Sequence, residues 1–158
     1  MDKEQIKLER MRYVKDSTPS TLAILAIVFN VLYFVLIYKI NNPYFYNFTI
    51  GLSVIVNLLF MLLGFWCSIE VKNYHGKFGY VMIALGIIEI LRIFVYPVRA
   101  HGAKMTIGEE VVIVMTNGQF TKAVVYLVAA AALMIVGGLL SIRDSGILQK
   151  YLATAEKK

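Results

Sequence analysis

Charged residues and cysteines are scarce in this sequence. Only 16% of the 158 residues are Asp, Glu, Lys or Arg, against about 25% in an average soluble domain. The single cysteine, Cys67, excludes a disulfide within one chain, a C-x-x-C redox pair and a cysteine-rich metal site. The chain also has no G-x-S-x-G, H-E-x-x-H, P-loop or G-x-G-x-x-G pattern. We therefore expect no catalytic residues, no metal, no cofactor and no enzymatic activity.

The apolar residues, in contrast, are abundant and lie in long runs. Hydrophobic residues make up 59% of the sequence, and a helix needs about 20 predominantly apolar residues to cross a membrane. The runs that meet this length are residues 20–38, 48–69, 78–98 and 122–142. They predict an all-α integral membrane protein with a four-helix transmembrane domain over residues 19–142.

Lys and Arg are distributed unequally between the two sides of this domain. Eleven of the 16 lie in the N-terminal segment, the second loop and the C-terminal segment, whereas four lie in the first and third loops. Basic residues accumulate on the cytoplasmic side of a membrane. The pattern therefore predicts cytoplasmic termini and an up-down-up-down bundle. It also accounts for the net charge of +6 without a nucleic-acid partner. We expect a multi-pass protein of the plasma membrane, most simply a bacterial cytoplasmic membrane.

Three segments lie outside the predicted spans. Residues 1–18 read as a charged helix at the cytoplasmic membrane surface, with Thr18 as the N-cap of the first span. Residues 143–158 read as a cytoplasmic tail. In the third loop, a β-branched run meets Asn117-Gly118, a pair that favours a tight turn. We predict a small extracytoplasmic β-hairpin there.

Polar residues near the middle of the spans are the most informative feature of the sequence. Asn30, Asn57 and Glu89 lie closest to the midpoints of the first three spans. At about 1.5 Å of rise per residue, they lie at nearly the same depth. Arg92 follows Glu89 by three residues, a spacing that allows a salt bridge. Because polar groups in hydrocarbon face inward and bond between helices, we predict a mid-membrane cluster of these four residues.

Small residues recur along each span. They let membrane helices approach closely, which is how such helices associate in lipid. The predicted helix-packing positions are Ser53, Gly64, Gly86, Gly137 and Ser141.

The Glu89–Arg92 pair permits three interpretations. It can be a buried ion pair that fixes helix packing or the docking of another subunit. Glu89 can instead change protonation beside Asn57 and Asn30 and form part of a proton or cation path. Alternatively, Arg92 can anchor an anionic solute or a lipid.

These interpretations lead to two functional hypotheses. The first is an accessory or scaffold subunit of a larger membrane complex, such as a transport complex. The second is a homo-oligomeric channel or carrier in which Glu89 and Arg92 line a path for protons, ions or small anions. The expected partners are the lipid bilayer and either other membrane subunits or further copies of this chain. A polar layer buried within one copy favours the scaffold, whereas a layer facing a symmetry axis or a water-filled cavity favours transport.

Overall fold

The computed structural model describes residues 3–40, 48–107 and 109–155. In chain order, the elements are α1 (Lys3–Tyr13), α2 (Ser17–Lys39), α3 (Phe48–Lys72), α4 (Gly76–Val95), α5 (Pro97–Ala100), β1 (Lys104–Ile107), β2 (Glu110–Ile113) and α6 (Asn117–Ala155). Within these ranges, four helical segments are long and apolar enough to cross a membrane, namely α2, α3, α4 with α5, and α6. The chain is therefore a multi-pass helical membrane protein, as its hydropathy predicts.

The N-cap of the first span lies two residues before the predicted one. Asp16 caps α2, because its Oδ1 accepts a hydrogen bond of 3.2 Å from the backbone N–H of Thr18. The prediction of Thr18 as the N-cap is therefore wrong. An aspartate caps a helix at least as well as a threonine, and Asp16 comes earlier in the chain.

The third loop holds two strands, but its turn lies elsewhere than predicted. β1 and β2 pair antiparallel, with Ile107 opposite Glu110, so the chain reverses between these two residues. The prediction of a turn at Asn117-Gly118 is wrong, because these two residues begin α6. Thr116 precedes them, and its hydroxyl accepts a hydrogen bond from the backbone N–H of Gln119. The capping preference of a threonine thus prevails over the turn preference of the Asn-Gly pair.

The last helix extends well past the predicted span. α6 has 39 residues and continues to Ala155, so most of the segment predicted as a tail is helical. At 1.5 Å per residue it is about 58 Å long, against roughly 30 Å for the hydrocarbon core of a bilayer. The helix formers that follow Gly146, among them Leu148 and Lys150, carry it beyond the apolar run.

The bundle is centred on α6, which packs most extensively against α4 and then against α2, while α3 packs mainly against α2. The closest approach of α4 and α6 is at Gly79 and Gly138. A Cβ added to Gly79 would lie 2.7 Å from the Gly138 carbonyl oxygen, and one added to Gly138 would lie 2.5 Å from the Gly79 oxygen. No side chain fits between the two backbones at this point.

The predicted packing positions differ in how tightly they are enclosed. A Cβ on Gly86 would lie 2.9 Å from the backbone oxygen of Ala131, while Gly64 and Gly137 face flexible side chains of neighbouring helices. Ser141 is buried on α6, and Ser53 is half-buried on α3.

Two apolar clusters fill the interior at different depths. The first contains Ala23, Ala26 and Ile27 of α2 with residues of α3, α4 and α6. The second contains Tyr33 and Ile37 of α2 with residues of α4, α6 and the third loop. Along α2 the two clusters are separated by the position of Asn30, which places a polar layer between them.

Polar contacts tie three segments together at one end of the bundle. The Tyr74 hydroxyl, in the turn between α3 and α4, donates to the backbone oxygen of Val14. The Ser145 hydroxyl on α6 donates to the backbone oxygen of Tyr74 at 2.6 Å. The Tyr151 hydroxyl near the end of α6 donates to Oε1 of Glu9 on α1 at 2.7 Å. The two terminal segments and the α3–α4 turn therefore lie at the same end.

The close approach of α4 and α6 predicts opposite effects for two alanine substitutions on α6. Gly138→Ala forces the backbones apart and should lower the free energy of unfolding by about 1–3 kcal/mol, the usual cost of overpacking. Gly146→Ala is the matched control, because a Cβ there meets nothing within 4 Å. Its higher helix propensity should raise stability by up to about 1 kcal/mol. Thermal unfolding in lipid nanodiscs measures both, and equal effects would contradict the packing described.

The carboxyl group of Asp16 makes the stability of the protein depend on pH. Partial burial raises the pKa of Asp16 despite the Thr18 N–H, and the nearby Asp144 carboxylate raises it further. Because its pKa is raised in the folded protein, the stabilising contribution of Asp16 is lost as the pH rises through that value. Asp16→Asn keeps the capping oxygen and removes the charge. It should therefore be more stable than the wild type at neutral pH, with the difference vanishing in acid.

Asp16→Ala is the control for the cap itself, and it should destabilise the protein at every pH. Denaturation midpoints measured from pH 3 to pH 8 distinguish these outcomes. A constant difference between wild type and Asp16→Asn would show that Asp16 does not titrate in this range.

Candidate functional site

The guanidinium of Arg92 is the centre of the candidate site. Its Nη1 donates to Oε1 of Glu89 at 2.6 Å and to Oδ1 of Asn30 at 2.9 Å. Its Nη2 donates to Oδ1 of Asn57 at 2.9 Å. The structure thus brings all four sequence-predicted residues into one hydrogen-bonded group, which joins α2, α3 and α4.

All four side chains are enclosed within one copy of the chain. Asn30, Asn57 and Glu89 have no exposed surface, and Arg92 is 6% exposed. The Tyr33 ring covers one side of the guanidinium, whose central carbon lies 4.9 Å from the ring centroid. This distance suits a cation–π interaction, which is stronger where water is excluded.

Helical periodicity explains how these residues meet. On α2, Asn30 follows Ala23, Ala26 and Ile27 at spacings of three and four residues, so it lies on the buried face. Arg92 lies one turn after Glu89 on α4, which brings their side chains together. Asn57 occupies the buried face of α3 three residues before Phe60.

The cluster is electrically neutral but highly polar. One carboxylate balances one guanidinium, and two amide oxygens accept further hydrogen bonds from the cation. Hydrogen bonds to charged groups contribute about 1.5–3 kcal/mol each, and they offset the cost of holding a guanidinium in hydrocarbon. The arrangement can therefore fix the relative positions of three helices.

Three atoms of the cluster have no hydrogen-bond partner within the described part of the chain. They are Nδ2 of Asn30, Nδ2 of Asn57 and Oε2 of Glu89. The site therefore retains both donor and acceptor capacity beyond its contacts with Arg92.

A narrow crevice reaches the cluster between α2 and α3. Its volume is about 20 Å³, and its lining includes Tyr33, Ser53 and Arg92. The predicted packing residue Ser53 therefore borders the crevice, near the Tyr33 hydroxyl. An opening of this size admits one water molecule and excludes larger solutes.

Other ionisable residues form smaller groups at the ends of the bundle. His75 Nδ1 lies 2.6 Å from Glu70 Oε2 in an exposed pair, and His101 Nε2 lies 2.9 Å from Asn117 Oδ1. Among residues 3–40, 48–107 and 109–155, no three His, Cys, Asp or Glu side chains are placed to hold a metal ion.

Two residues outside the predicted four-residue cluster also matter to the arrangement. Tyr33 covers the guanidinium, and its position three residues after Asn30 on the buried face is the sequence signal for that placement. Ser145 is 1% exposed and bonds to the α3–α4 turn through both Tyr74 and Gly76. No sequence pattern indicates these contacts, because they join residues about 70 positions apart.

The geometry predicts that the planar shape of Arg92 matters as well as its charge. Arg92→Lys keeps the cation, but an ammonium is compact and cannot reproduce the fork that reaches both sides of the cluster. We expect the free energy of unfolding to fall by about 2–4 kcal/mol, the value of one or two hydrogen bonds to a charged group. Chemical unfolding in mixed micelles measures the change.

Arg99→Lys is the matched control, since Arg99 is exposed on α5. It should change stability by less than about 0.5 kcal/mol. Equal stabilities of Arg92→Lys and the wild type would mean that charge alone holds the cluster.

Comparison with known proteins gives no relative from which a function could be transferred to this chain. No family model, no curated protein and no solved structure matches this chain. Its function is therefore argued from the polar cluster and its surroundings.

Proposed function

We propose that this protein is an accessory or scaffold subunit of a larger membrane complex, and that the Glu89–Arg92 pair holds its helices in the geometry that partners recognise. The observation that supports this proposal best is the use of Arg92 within a single chain. Three acceptors from three helices surround its guanidinium. The charge of this cation is balanced by Glu89, and three of its five N–H groups are bound within the chain, which disfavours a role in binding an anionic solute.

The proposed orientation has both termini in the cytoplasm. The proposed location is the plasma membrane, most simply the cytoplasmic membrane of a bacterium. The excess of Lys and Arg in the terminal segments and the second loop supports this orientation. So do the contacts from Tyr151 to Glu9 and from Tyr74 to Val14, which gather those three segments at one end. An up-down-up-down path is the simplest one that fits these contacts.

Two parts outside the hydrocarbon layer could meet partner subunits in this arrangement. At the cytoplasmic end, α6 extends beyond the membrane and contacts α1 through Glu9 and Tyr151. At the other end, β1 and β2 project as a short ribbon with exposed Val111 and Ile113. Both parts are held by the bundle, so the spacing between them depends on how the spans pack.

A homo-oligomeric channel or carrier is the second candidate. The observation that favours it is the unused hydrogen-bonding capacity of Glu89, Asn30 and Asn57. Against it stands the full burial of these three side chains within one copy. A path along a symmetry axis would need them to face neighbouring copies.

The native mass of the protein distinguishes the two candidates. The chain is extracted gently from its own membrane at endogenous expression levels, and its partners are identified by mass spectrometry. The accessory role predicts constant stoichiometry with larger membrane subunits, reproduced when a partner carries the affinity tag. A closed homo-oligomer recovered alone would contradict the accessory role and favour the channel.

Charge removal in the cluster gives a second test. Glu89→Gln leaves the buried guanidinium without a counter-charge, and breaking a buried pair in this way costs about 3–5 kcal/mol. Assembly into the complex should fall accordingly. Glu89→Gln with Arg92→Gln restores neutrality and should recover much of the loss.

Glu70→Gln is the matched control, because it removes a carboxylate from the exposed pair with His75. It should leave assembly unchanged. If Glu89→Gln assembles normally yet abolishes a flux that the double variant does not restore, the transport candidate is correct. Normal assembly with unchanged flux would exclude a role for the pair in either function.

A further inference from the structure

The polar cluster contains more hydrogen-bonding groups than its own members satisfy. Asn30, Asn57 and Glu89 are each fully buried, and each has one side-chain atom without a partner in the described ranges. An unsatisfied buried polar group costs about 1–3 kcal/mol, and no bulk solvent compensates for it inside a bilayer. Three such groups around one guanidinium point to a further bound species.

The chemistry of Arg92 determines which atoms remain unpaired. A guanidinium carries only donors, so both amide groups must turn their oxygens toward it. Rotating either amide by half a turn would place N–H groups against N–H groups. The Nδ2 atoms of Asn30 and Asn57 therefore face away from the cation and stay available as donors.

The unpaired atoms define the kind of molecule that they can bind. The amide groups offer N–H donors, and Oε2 of Glu89 offers an acceptor. A metal or ammonium ion would be repelled by Arg92 and by the amide hydrogens. An anion would be repelled by the Glu89 carboxylate. A small neutral molecule that both accepts and donates hydrogen bonds fits the set, and water is the smallest.

The crevice between α2 and α3 lies beside the cluster, because Arg92 belongs to its lining. It holds about 20 Å³, and a cavity of roughly 10–15 Å³ is enough for one water molecule. Tyr33, the half-buried Ser53 and Arg92 form part of its wall. Asn30, Asn57 and Glu89 contact that same guanidinium.

We propose that the cluster binds one internal water molecule, which accepts hydrogen bonds from Nδ2 of Asn30 and Asn57 and donates one to Oε2 of Glu89. Three hydrogen bonds are typical of a buried water. The proposal is independent of the accessory role, because hydration of the cluster is compatible with either candidate function. It makes the polar layer a hydrated site and gives Glu89 a neighbour with exchangeable protons.

Magnetisation transfer from water to the asparagine side chains tests this proposal on the intact protein. The chain is labelled with ¹⁵N-asparagine and placed in lipid nanodiscs. Cross peaks between water and the side-chain amide protons are then recorded in the laboratory and rotating frames. A water that stays longer than the tumbling time gives cross peaks of opposite sign in the two frames. We expect this pattern at both Asn30 and Asn57.

The exposed amide of Asn73 is the positive control for contact with bulk solvent. The fully buried backbone amide of Ala26, made visible by ¹⁵N-alanine in a second labelled sample, is the negative control, because its hydrogen bond lies within α2. Absence of any water cross peak at Asn30 and Asn57 would overturn the proposal by showing a dry cluster. Cross peaks of equal sign in both frames would also overturn it, because they indicate exchange with bulk water through an open path.

Discussion

A buried guanidinium in a membrane needs acceptors, and this requirement organises the structure. Arg92 obtains them from its own helix through Glu89 and from α2 and α3 through Asn30 and Asn57. In lipid the apolar surfaces of helices gain little by leaving the solvent, since lipid tails are as apolar as leucine. The directional contacts of one cation can therefore set the depth and rotation of three helices. Apolar side chains alone specify these two quantities less strictly.

The rest of the bundle is arranged around that layer. α6 contributes no charged partner to Arg92; it supports the bundle through close backbone contact at Gly79 and Gly138. Apolar clusters fill the interior on either side of the polar residues. The structure thus combines two ways of joining membrane helices, since α2, α3 and α4 meet through polar groups while α4 and α6 meet through glycines. α3 contributes an amide rather than a charged group to the polar layer, and it is the least enclosed of the four spans.

The spans and the depth of the polar residues could be predicted from the sequence by simple rules. Hydropathy and a fixed rise per residue suffice to place Asn30, Asn57 and Glu89 at one depth. Local ends of helices depend instead on competition between signals of similar strength, as at Asp16 against Thr18 and at Thr116 against Asn117-Gly118. Contacts such as Ser145 with the α3–α4 turn could not be predicted, because they depend on the relative position of distant segments. The rotation that turns Tyr33 over the guanidinium depends on packing in the same way.

The placement of both charges on α4 has a consequence for how the protein is made. Insertion of a lone charge at the centre of a helix costs about 2.5–3.5 kcal/mol. Because Glu89 and Arg92 are one turn apart and bonded at 2.6 Å, the centre of α4 can enter the bilayer with its two charges paired before the helix meets any other. The two spans that carry Asn30 and Asn57 precede it in the chain and leave the ribosome first. By the time α4 arrives, the amide oxygens that complete its guanidinium shell are already in the membrane, so the order of synthesis matches the order in which these contacts become useful.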